Sequence, residues 1–151
     1  MLTAGDVMTR NVITVKKETT IRELAELFAL HRIISAPVVD ESGDVIGIVT
    51  ETDLIEQDKS LHIPTVVSIF DWVIYLESDK KFERELKKMT GQTVADIYTP
   101  SVKTVAQNTP ISDVADIMSN GKIHSIPVLE GKKLVGIVAR IDLIRTMIKR
   151  G

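Results

Sequence analysis

The stretch SAPVVDESGDVIGIVTETDLI, residues 35–55, and its counterpart SIPVLEGKKLVGIVARIDLI, residues 125–144, decide the fold of this chain. Each contains two apolar, β-branched runs separated by a turn with glycine, which predicts a buried β-hairpin. Each then continues into a helix, which begins at about Thr50 or Glu51 in the first stretch. In the second stretch it begins at about Arg140 and runs to the C-terminus. The same strand-turn-strand-helix unit therefore occurs twice.

The repeat extends toward the N-terminus of both stretches. Residues 9–39 match residues 99–129 at an offset of 90, with 11 identities in 31 positions. Residues 45–55 match residues 134–144 at an offset of 89, with 6 identities in 11 positions. Roughly two or three identities are expected by chance over this length, so the chain contains an internal duplication. Two copies predict a pseudo-symmetric pair, because a solenoid needs at least three.

A strand and a helix precede each hairpin. Residues 12–15 form a short β-rich run, and Thr20 then opens a capping box of Thr-x-x-Glu form. In the second copy we expect Thr109 as the cap, Pro110 at the first helical position and a helix end at Gly121. Each unit is thus predicted to be β-α-β-β-α, which gives an α/β fold whose two units share one core. The apolar helix faces consist of Ile21, Leu24, Ala25 and Phe28 in one copy and Ile111, Val114, Ala115 and Met118 in the other.

Composition excludes several classes of function. The 151 residues include 19 basic and 21 acidic side chains and no cysteine. Disulfides, thiolate nucleophiles and cysteine-based metal sites are therefore excluded, and the charge balance argues against nucleic acid as a partner. With no signal peptide and no long apolar run, the expectation is a soluble cytoplasmic protein without a membrane partner. No catalytic motif and no metal-ligand spacing is present, so we expect no enzyme, no metal and no cofactor.

The division of the chain follows the repeat. Residues 1–56 form the first motif, residues 57–92 a helical bridge and residues 93–151 the second motif. The bridge contains half of the aromatic residues, namely Phe70, Trp72 and Tyr75, on a helix that Ser68 can cap. It either packs on its own domain or forms a subunit contact, and both interpretations stay open.

The repeat resembles a known regulatory module. The segments that carry the resemblance are 6–9, 35–39 and 47–54 in the first copy and 97–100 through 136–143 in the second, about three quarters of the chain. Both copies are similar to CBS domains. The resemblance implies a Bateman module, in which two units pack sheet to sheet about a pseudo-twofold axis and commonly dimerise as a disc. It also implies a regulatory protein that binds AMP, ADP, ATP or S-adenosylmethionine between its units and catalyses nothing.

The acids of the repeat suit a nucleoside independently of that resemblance. Asp53 and Asp142 occupy equivalent places, each six residues after a glycine and at the start of a helix. A carboxylate there can accept both ribose hydroxyls, while helix N–H groups favour phosphate. The alternative is a purely structural role, because Thr50-x-x-Asp53 is also a capping box. Ala139 replaces the threonine in the second copy, so Asp142 cannot complete a reciprocal box, and this favours the ribose role.

The resemblance implies two crossed sites, each combining segments of both copies. In one, His124 takes a phosphate role and Lys122 is a further candidate. In the other, Arg140 donates hydrogen bonds to the phosphate. Arg32 either binds phosphate or interacts favourably with the dipole of its own helix. Because of Ala139, the Asp53 site is expected to be the better formed. The first site comprises Ile48, Val49, Thr50, Asp53, Lys103, Thr104, Lys122, Ile123, His124, Ser125 and Ile126. The second comprises Ile13, Thr14, Ile34, Ser35, Ala36, Ile137, Val138, Arg140 and Asp142.

Two functions compete on this basis. The first is a sensor of adenosine-containing ligands that acts as a homodimer on an unknown downstream protein. The alternative is a scaffold or dimerisation module that binds no ligand and works through the apolar bridge helix.

Overall fold

The computed structural model describes residues 1–56 and 92–149. The bridge, with its expected aromatic helix, lies outside these residues. Within the described ranges no helix has the length and apolar character needed to cross a membrane.

Helices and strands alternate in two similar series. Each series begins with a one-turn helix, followed later by an eleven-residue amphipathic helix, a β-hairpin and a second helix. The first series is α1 (Ala4–Val7), α2 (Ile21–His31), β1 (Ser35–Val39), β2 (Val45–Thr50) and α3 (Glu51–Glu56). The second is α4 (Val94–Ile97), β3 (Val105–Ala106), α5 (Ile111–Gly121), β4 (Ser125–Glu130), β5 (Lys133–Ala139) and α6 (Arg140–Lys149). Both predicted hairpins and the helices that follow them are confirmed.

The two sheets have the same register. β1 pairs antiparallel with β2, so that Val38 lies opposite Gly47. β4 pairs antiparallel with β5, so that Val128 lies opposite Gly136. A short parallel strand, β3, joins the second sheet beside β4.

The strand predicted over residues 12–15 is wrong except at its last residue. Val15 alone forms a parallel bridge, to Val38. It donates its N–H to the carbonyl of Pro37 and accepts the N–H of Val39 through its own carbonyl. The preceding residues instead form the wall of a cleft, as described below.

The cap predicted for the second long helix is also wrong. Pro110, not Thr109, is the N-cap residue of α5. The hydroxyl of Thr109 is occupied elsewhere, since it accepts the N–H of Ala106 at 3.0 Å. Thr19 does the same in the first repeat by accepting the N–H of Lys16 at 3.1 Å. Pro110 is therefore the counterpart of Thr20, which does cap its helix.

Two clusters of buried side chains, rather than the single shared core that we expected, fill the described part of the chain. The clusters do not follow the sequence boundaries at residues 56 and 93. Ala4 and Met8, from the start of the chain, are buried among residues of the second repeat. Val94 is buried among residues of the first. The two repeats therefore exchange their N-terminal one-turn helices.

Backbone hydrogen bonds hold each exchanged segment against the sheet of the other repeat. Thr9 and Ile137 exchange two bonds, of 2.8 and 2.9 Å, and Thr99 and Ile48 exchange another two of the same lengths. These pairs are related by the repeat itself. Gly47 and Gly136 lie beside them, and the exchanged segments approach so closely that a Cβ at either position would collide with them.

Candidate functional site

A buried pair of serines marks the axis that relates the repeats. Ser35 and Ser125 are equivalent residues, 90 positions apart, at the starts of β1 and β4. Their hydroxyl oxygens lie 2.5 Å apart and share a hydrogen bond in which either can be the donor. A residue that contacts its own repeat counterpart must lie next to the pseudo-twofold axis. A cleft opens on each side of this pair, and both serines contribute to both clefts.

The larger cleft has a volume of about 600 Å³, well inside the range of small-molecule sites. Its walls are the start of α6 with the end of β5, the segment before β1, and the irregular stretch that follows α1. Apolar side chains alternate there with three arginines and one carboxylate. The lining residues are Thr9, Asn11, Val12, Ile13, His31, Arg32, Ile33, Ile34, Ser35, His124, Ser125, Ile137, Ala139, Arg140, Ile141, Asp142 and Arg145.

The smaller cleft has a volume of about 290 Å³, near the lower limit for a small-molecule site. It is built from the equivalent segments with the repeats interchanged. It contains two lysines and one histidine, and no carboxylate. The lining residues are Ser35, Ile48, Thr50, Thr52, Thr99, Ser101, Val102, Lys103, Lys122, Ile123, His124 and Ser125.

The structure brings the two predicted residue sets together in the crossed arrangement. Most members line their cleft, but seven do not. Of these, Ala36, Val49, Ile126 and Val138 are fully buried in the core clusters. Thr14, Asp53 and Thr104 are the others. Ligand contact by any residue of either set stays a prediction.

Sequence reasoning missed one wall of each cleft. Residues 9, 11 and 12 line the larger cleft, and residues 99, 101 and 102 line the smaller. These segments are equivalent in the repeat, and Thr9 and Thr99 are identical. The identity of Thr9 and Thr99 could have indicated these segments. Because a strand was expected from residue 12 onward, the cleft contacts were placed at residues 13, 14, 103 and 104 instead. Thr52, His31, Ile141 and Arg145 were also missed.

Asp142 lies in the larger cleft with its carboxylate partly occupied. The residue is 7% exposed, and one carboxylate oxygen accepts the N–H of Ala139 at 2.8 Å. The other oxygen lies 3.8 Å from the guanidinium of Arg145. Half of the capping box therefore survives without the threonine, so the retention of Asp142 has a structural explanation as well. Ala139 lines this cleft at the position where the equivalent Thr50 lines the smaller cleft. Because alanine has the smaller side chain, this position is more open in the larger cleft.

Asp53 forms the complete capping box that the sequence allows. Its carboxylate accepts the N–H of Thr50 at 2.9 Å, and its own N–H donates to the hydroxyl of Thr50 at 3.2 Å. It does not line the smaller cleft. The geometry therefore favours the Asp142 cleft as the better formed, contrary to expectation.

Arg140 is hydrogen-bonded to the segment that contains His124, within the second repeat and at the boundary of the clefts. The backbone N–H of Arg140 donates to the carbonyl of His124 at 3.1 Å. Its side-chain Nε donates to the carbonyl of Ile123 at 3.2 Å. These bonds fix the base of the guanidinium while its terminal nitrogens stay available to an anion. His124 is exposed and lines both clefts.

Two cations at the cleft walls have unusual backbone conformations. Arg32, at the end of α2, has φ 53° and ψ 46°. Lys122, at the end of α5, has φ 53° and ψ 41°. This left-handed conformation costs a residue other than glycine about 1–2 kcal/mol. Among the residues that the structure describes, these two are the only ones besides glycine with a positive φ.

Among residues 1–56 and 92–149, no group of three or more His, Asp or Glu side chains is placed to hold a metal ion. The clefts instead combine apolar walls with cations and hydroxyls. This arrangement can hold a flat organic group together with an anionic group.

Two repeated α/β modules that exchange their first helices and enclose paired clefts define a tandem-module architecture. The chain belongs to the CBS domain family, whose model matches residues 4–60 and 94–149. Its two modules form the CBS pair known as a Bateman module.

Similar proteins and structures support this assignment. The chain is 32% identical to the CBS domain-containing protein CBSX1, chloroplastic, of Arabidopsis thaliana over 97% of its own length, and it spans 64% of the length of that relative. The crystal structure of CBSX2 in complex with AMP has a TM-score of 0.75 and 25% identity, covering 99% of this chain and 98% of the other. The CBS domain pair of protein MJ0100 in complex with 5′-methylthioadenosine and S-adenosyl-L-methionine has a TM-score of 0.73 and 25% identity, covering 100% and 99%.

Proposed function

We propose that this protein is a sensor of adenosine-containing small molecules, which it binds in the clefts between its two CBS domains. The observation that carries the proposal is the larger cleft, where an apolar wall, a carboxylate and three arginines face one volume of about 600 Å³. A nucleotide needs these three elements, for the base, the ribose hydroxyls and the phosphate. Similarity to a CBS pair solved with AMP and to one solved with S-adenosyl-L-methionine adds support.

The proposed roles follow from the positions of the side chains. Ile13, Ile34 and Ile137 offer apolar surface to an adenine base. Asp142 offers its carboxylate to the ribose, although the N–H of Ala139 already occupies one lone pair. Arg140 offers its terminal guanidinium nitrogens to a phosphate.

In this proposal the protein regulates and does not catalyse. A bound ligand contacts side chains of both repeats, so it can favour one relative arrangement of the modules over another. Only a ligand that binds the two arrangements with different affinity can transmit a signal to a downstream protein.

Isothermal titration calorimetry with AMP, ADP, ATP and S-adenosylmethionine tests the proposal. We expect at least one of them to bind, and Asp142→Asn to weaken binding about tenfold or more, because asparagine retains an acceptor for the Ala139 N–H but loses the charge. Asp53→Asn is the matched control, since Asp53 does not line a cleft, and should alter affinity less than twofold. No binding of any of the four ligands to the wild type would refute the proposal.

A second copy of the chain is the proposed partner for the last helix. Apolar residues on α6 are exposed, with Ile144 at 50%, Met147 at 72% and Ile148 at 74%. Apolar surface concentrated on one helix commonly marks an interface. Among the described residues, this face of α6 favours a dimerisation role. Light scattering should give a dimer mass for the wild type and a monomer mass for an Ile144→Lys, Ile148→Lys variant, and a monomeric wild type would refute the dimer.

A further inference from the structure

Ser35 and Ser125 lie between the two clefts, and each of them lines both. We propose that this pair couples the clefts, so that a ligand that accepts a hydrogen bond from the pair in one cleft weakens binding in the other. The inference rests on the proposed function, and it adds how occupation of one cleft is communicated to the other.

The two hydroxyls together have one proton to offer to a ligand. A serine hydroxyl has a single proton and two acceptor lone pairs. The oxygens of Ser35 and Ser125 lie 2.5 Å apart, so one of the two protons is used in the bond between them. Within residues 1–56 and 92–149, neither hydroxyl forms a hydrogen bond to another protein group. A ligand can therefore receive only the proton of the serine that accepts the mutual bond.

Burial increases the effect of that proton on binding. Ser35 is 8% exposed and Ser125 is 5% exposed, so little water can solvate their hydroxyls. A buried polar group without a partner costs free energy, and a ligand atom that bonds to it removes this cost. A ligand oxygen or ring nitrogen that accepts the proton is therefore favoured next to the pair.

The direction of the serine–serine bond has two states that a ligand can select. Because the serines are equivalent residues next to the pseudo-twofold axis, donation in either direction places the free proton in similar surroundings. A ligand acceptor in one cleft takes this proton and fixes the direction. A ligand in the other cleft then meets only lone pairs, or it must break the mutual bond to obtain a proton. In both cases its affinity falls by about the contribution of one hydrogen bond, roughly three- to tenfold.

A second source of coupling has to be separated from this one. Two phosphates bound in adjacent clefts would repel each other, and His124 also lines both clefts. His124 has no matching residue in the first repeat, because Ile34 occupies the equivalent position. Charge repulsion does not depend on the serine hydroxyls, whereas the proposed coupling disappears when both hydroxyls are removed. The part of the coupling that depends on the serines is therefore the quantity to measure.

Calorimetry with AMP, or with whichever of the four ligands above binds the wild type, measures the coupling through a thermodynamic cycle. Thr52→Trp fills the smaller cleft and Ile141→Trp fills the larger, at equivalent exposed positions that each line one cleft. These variants give the association constant of each cleft alone, and the wild type gives the overall constant for two bound ligands. The coupling factor is the product of the single constants divided by the overall constant, and linkage makes it the same in both directions.

The same measurements are made in the Ser35→Ala, Ser125→Ala background. We expect the coupling factor to be about three- to tenfold larger with both serines present than in this background. Removal of both hydroxyls leaves neither without its partner, so the double variant should fold. Ser101→Ala is the matched control, because Ser101 lines only the smaller cleft, and it should retain the wild-type factor within twofold.

The outcomes separate the inference from the proposed function. Equal coupling factors with and without the two serines would overturn the inference, and so would an equal fall of the factor in Ser101→Ala. If the ligand occupies a single cleft in both the wild type and the double serine variant, the clefts are not coupled, and the inference is wrong while the nucleotide sensor stands. If the wild type binds none of the four ligands, the proposed function fails, and the inference fails with it.

Discussion

Replacement of Gly47 by alanine should separate the exchanged N-terminal segment from the sheet that it covers. A Cβ on Gly47 would lie 2.5 Å from Cδ2 of Tyr98 and even closer to the carbonyl oxygen of Thr99. That carbonyl accepts the N–H of Ile48 at 2.9 Å, and the N–H of Thr99 donates back at 2.8 Å. Because one bond holds the carbonyl of Thr99 and another holds its N–H, this residue cannot move aside alone, so the variant must lose these bonds or displace α4.

The magnitude follows from these contacts. Two backbone hydrogen bonds contribute about 0.5–1.5 kcal/mol each, and crowding of a packed site costs about 1–3 kcal/mol. We therefore expect Gly47→Ala to lower the free energy of unfolding by about 2–6 kcal/mol. For a chain of this length, the melting temperature should fall by roughly 4–24 °C. Urea unfolding followed by circular dichroism measures the first quantity, and a thermal scan measures the second.

Two other glycines provide controls. A Cβ on Gly136 meets the side chain of Met8, at 2.7 Å from Cγ and 3.1 Å from Cβ. Because methionine can change rotamer, Gly136→Ala should cost only about 1–2 kcal/mol. Gly43, with φ 86° and no atom within 4 Å of its Cβ position, should cost about 1 kcal/mol through backbone strain alone. The reasoning is refuted if Gly47→Ala is no more destabilising than Gly43→Ala.

Three further predictions concern the buried hydroxyls, a carboxyl pKa and a helix cap. Ser125→Ala should lower the free energy of unfolding, measured with urea, by about 1–3 kcal/mol, because it leaves the hydroxyl of Ser35 buried without its partner. The Ser35→Ala, Ser125→Ala variant should lose less stability than the sum of the two single variants, and a loss equal to or greater than that sum would contradict this. The backbone N–H and then the hydroxyl of Thr3 lower the pKa of Asp6, so this carboxylate stabilises the fold above the pKa of the unfolded chain and ceases to do so as the pH falls through the folded value. An NMR titration should find its pKa below the ordinary value and higher in Thr3→Ala, and an unshifted pKa in the wild type would contradict the reasoning. Ala139→Thr supplies the missing half of the second capping box and should raise the free energy of unfolding by about 0.5–1 kcal/mol, whereas destabilisation would show that the site cannot accept the side chain.

Local patterns were sufficient to predict the hairpins and most helices. The apolar, β-branched runs at residues 36–39 and 45–49, separated by a glycine turn, predict a buried two-stranded unit. Thr20 caps its helix by accepting the N–H of Glu23 at 3.1 Å, which is one half of the predicted capping box. At Thr109 the same residue type was already bonded to the turn before it. Hydrophobic periodicity does not reveal which of several neighbouring backbone N–H groups a threonine hydroxyl will accept.

The exchange of the one-turn helices could not be derived from hydrophobic patterns. Ala4, Met8 and Val94 are apolar residues in short segments, and periodicity shows that they are buried without showing against which repeat. The reciprocal capping boxes at Thr3 and Thr93, also 90 residues apart, reveal that the segments are equivalent. Their partner becomes evident only from the hydrogen bonds to β2 and β5.

The clefts were predicted in arrangement but not in relative size. Ala139 was expected to impair its site, because a hydroxyl is lost. In the structure Ala139 lies in the wall of its cleft, so the atoms that a threonine would add are absent from that wall. The cleft with alanine is the larger of the two. The left-handed conformations of Arg32 and Lys122 carry no sequence signal, since glycine is the residue that marks such positions.

An NMR titration of the isotopically labelled protein with AMP and with S-adenosylmethionine tests the central claim most directly. If the clefts bind adenosine-containing ligands, the backbone amides of Ser35, His124 and Ser125, which both clefts share, should shift together with those of residues 139–142. Amides at the far ends of the hairpins, such as Gly43 and Gly131, should not move. The account is contradicted if millimolar concentrations of both ligands shift none of the cleft amides, or if the shifts are confined to residues outside the clefts.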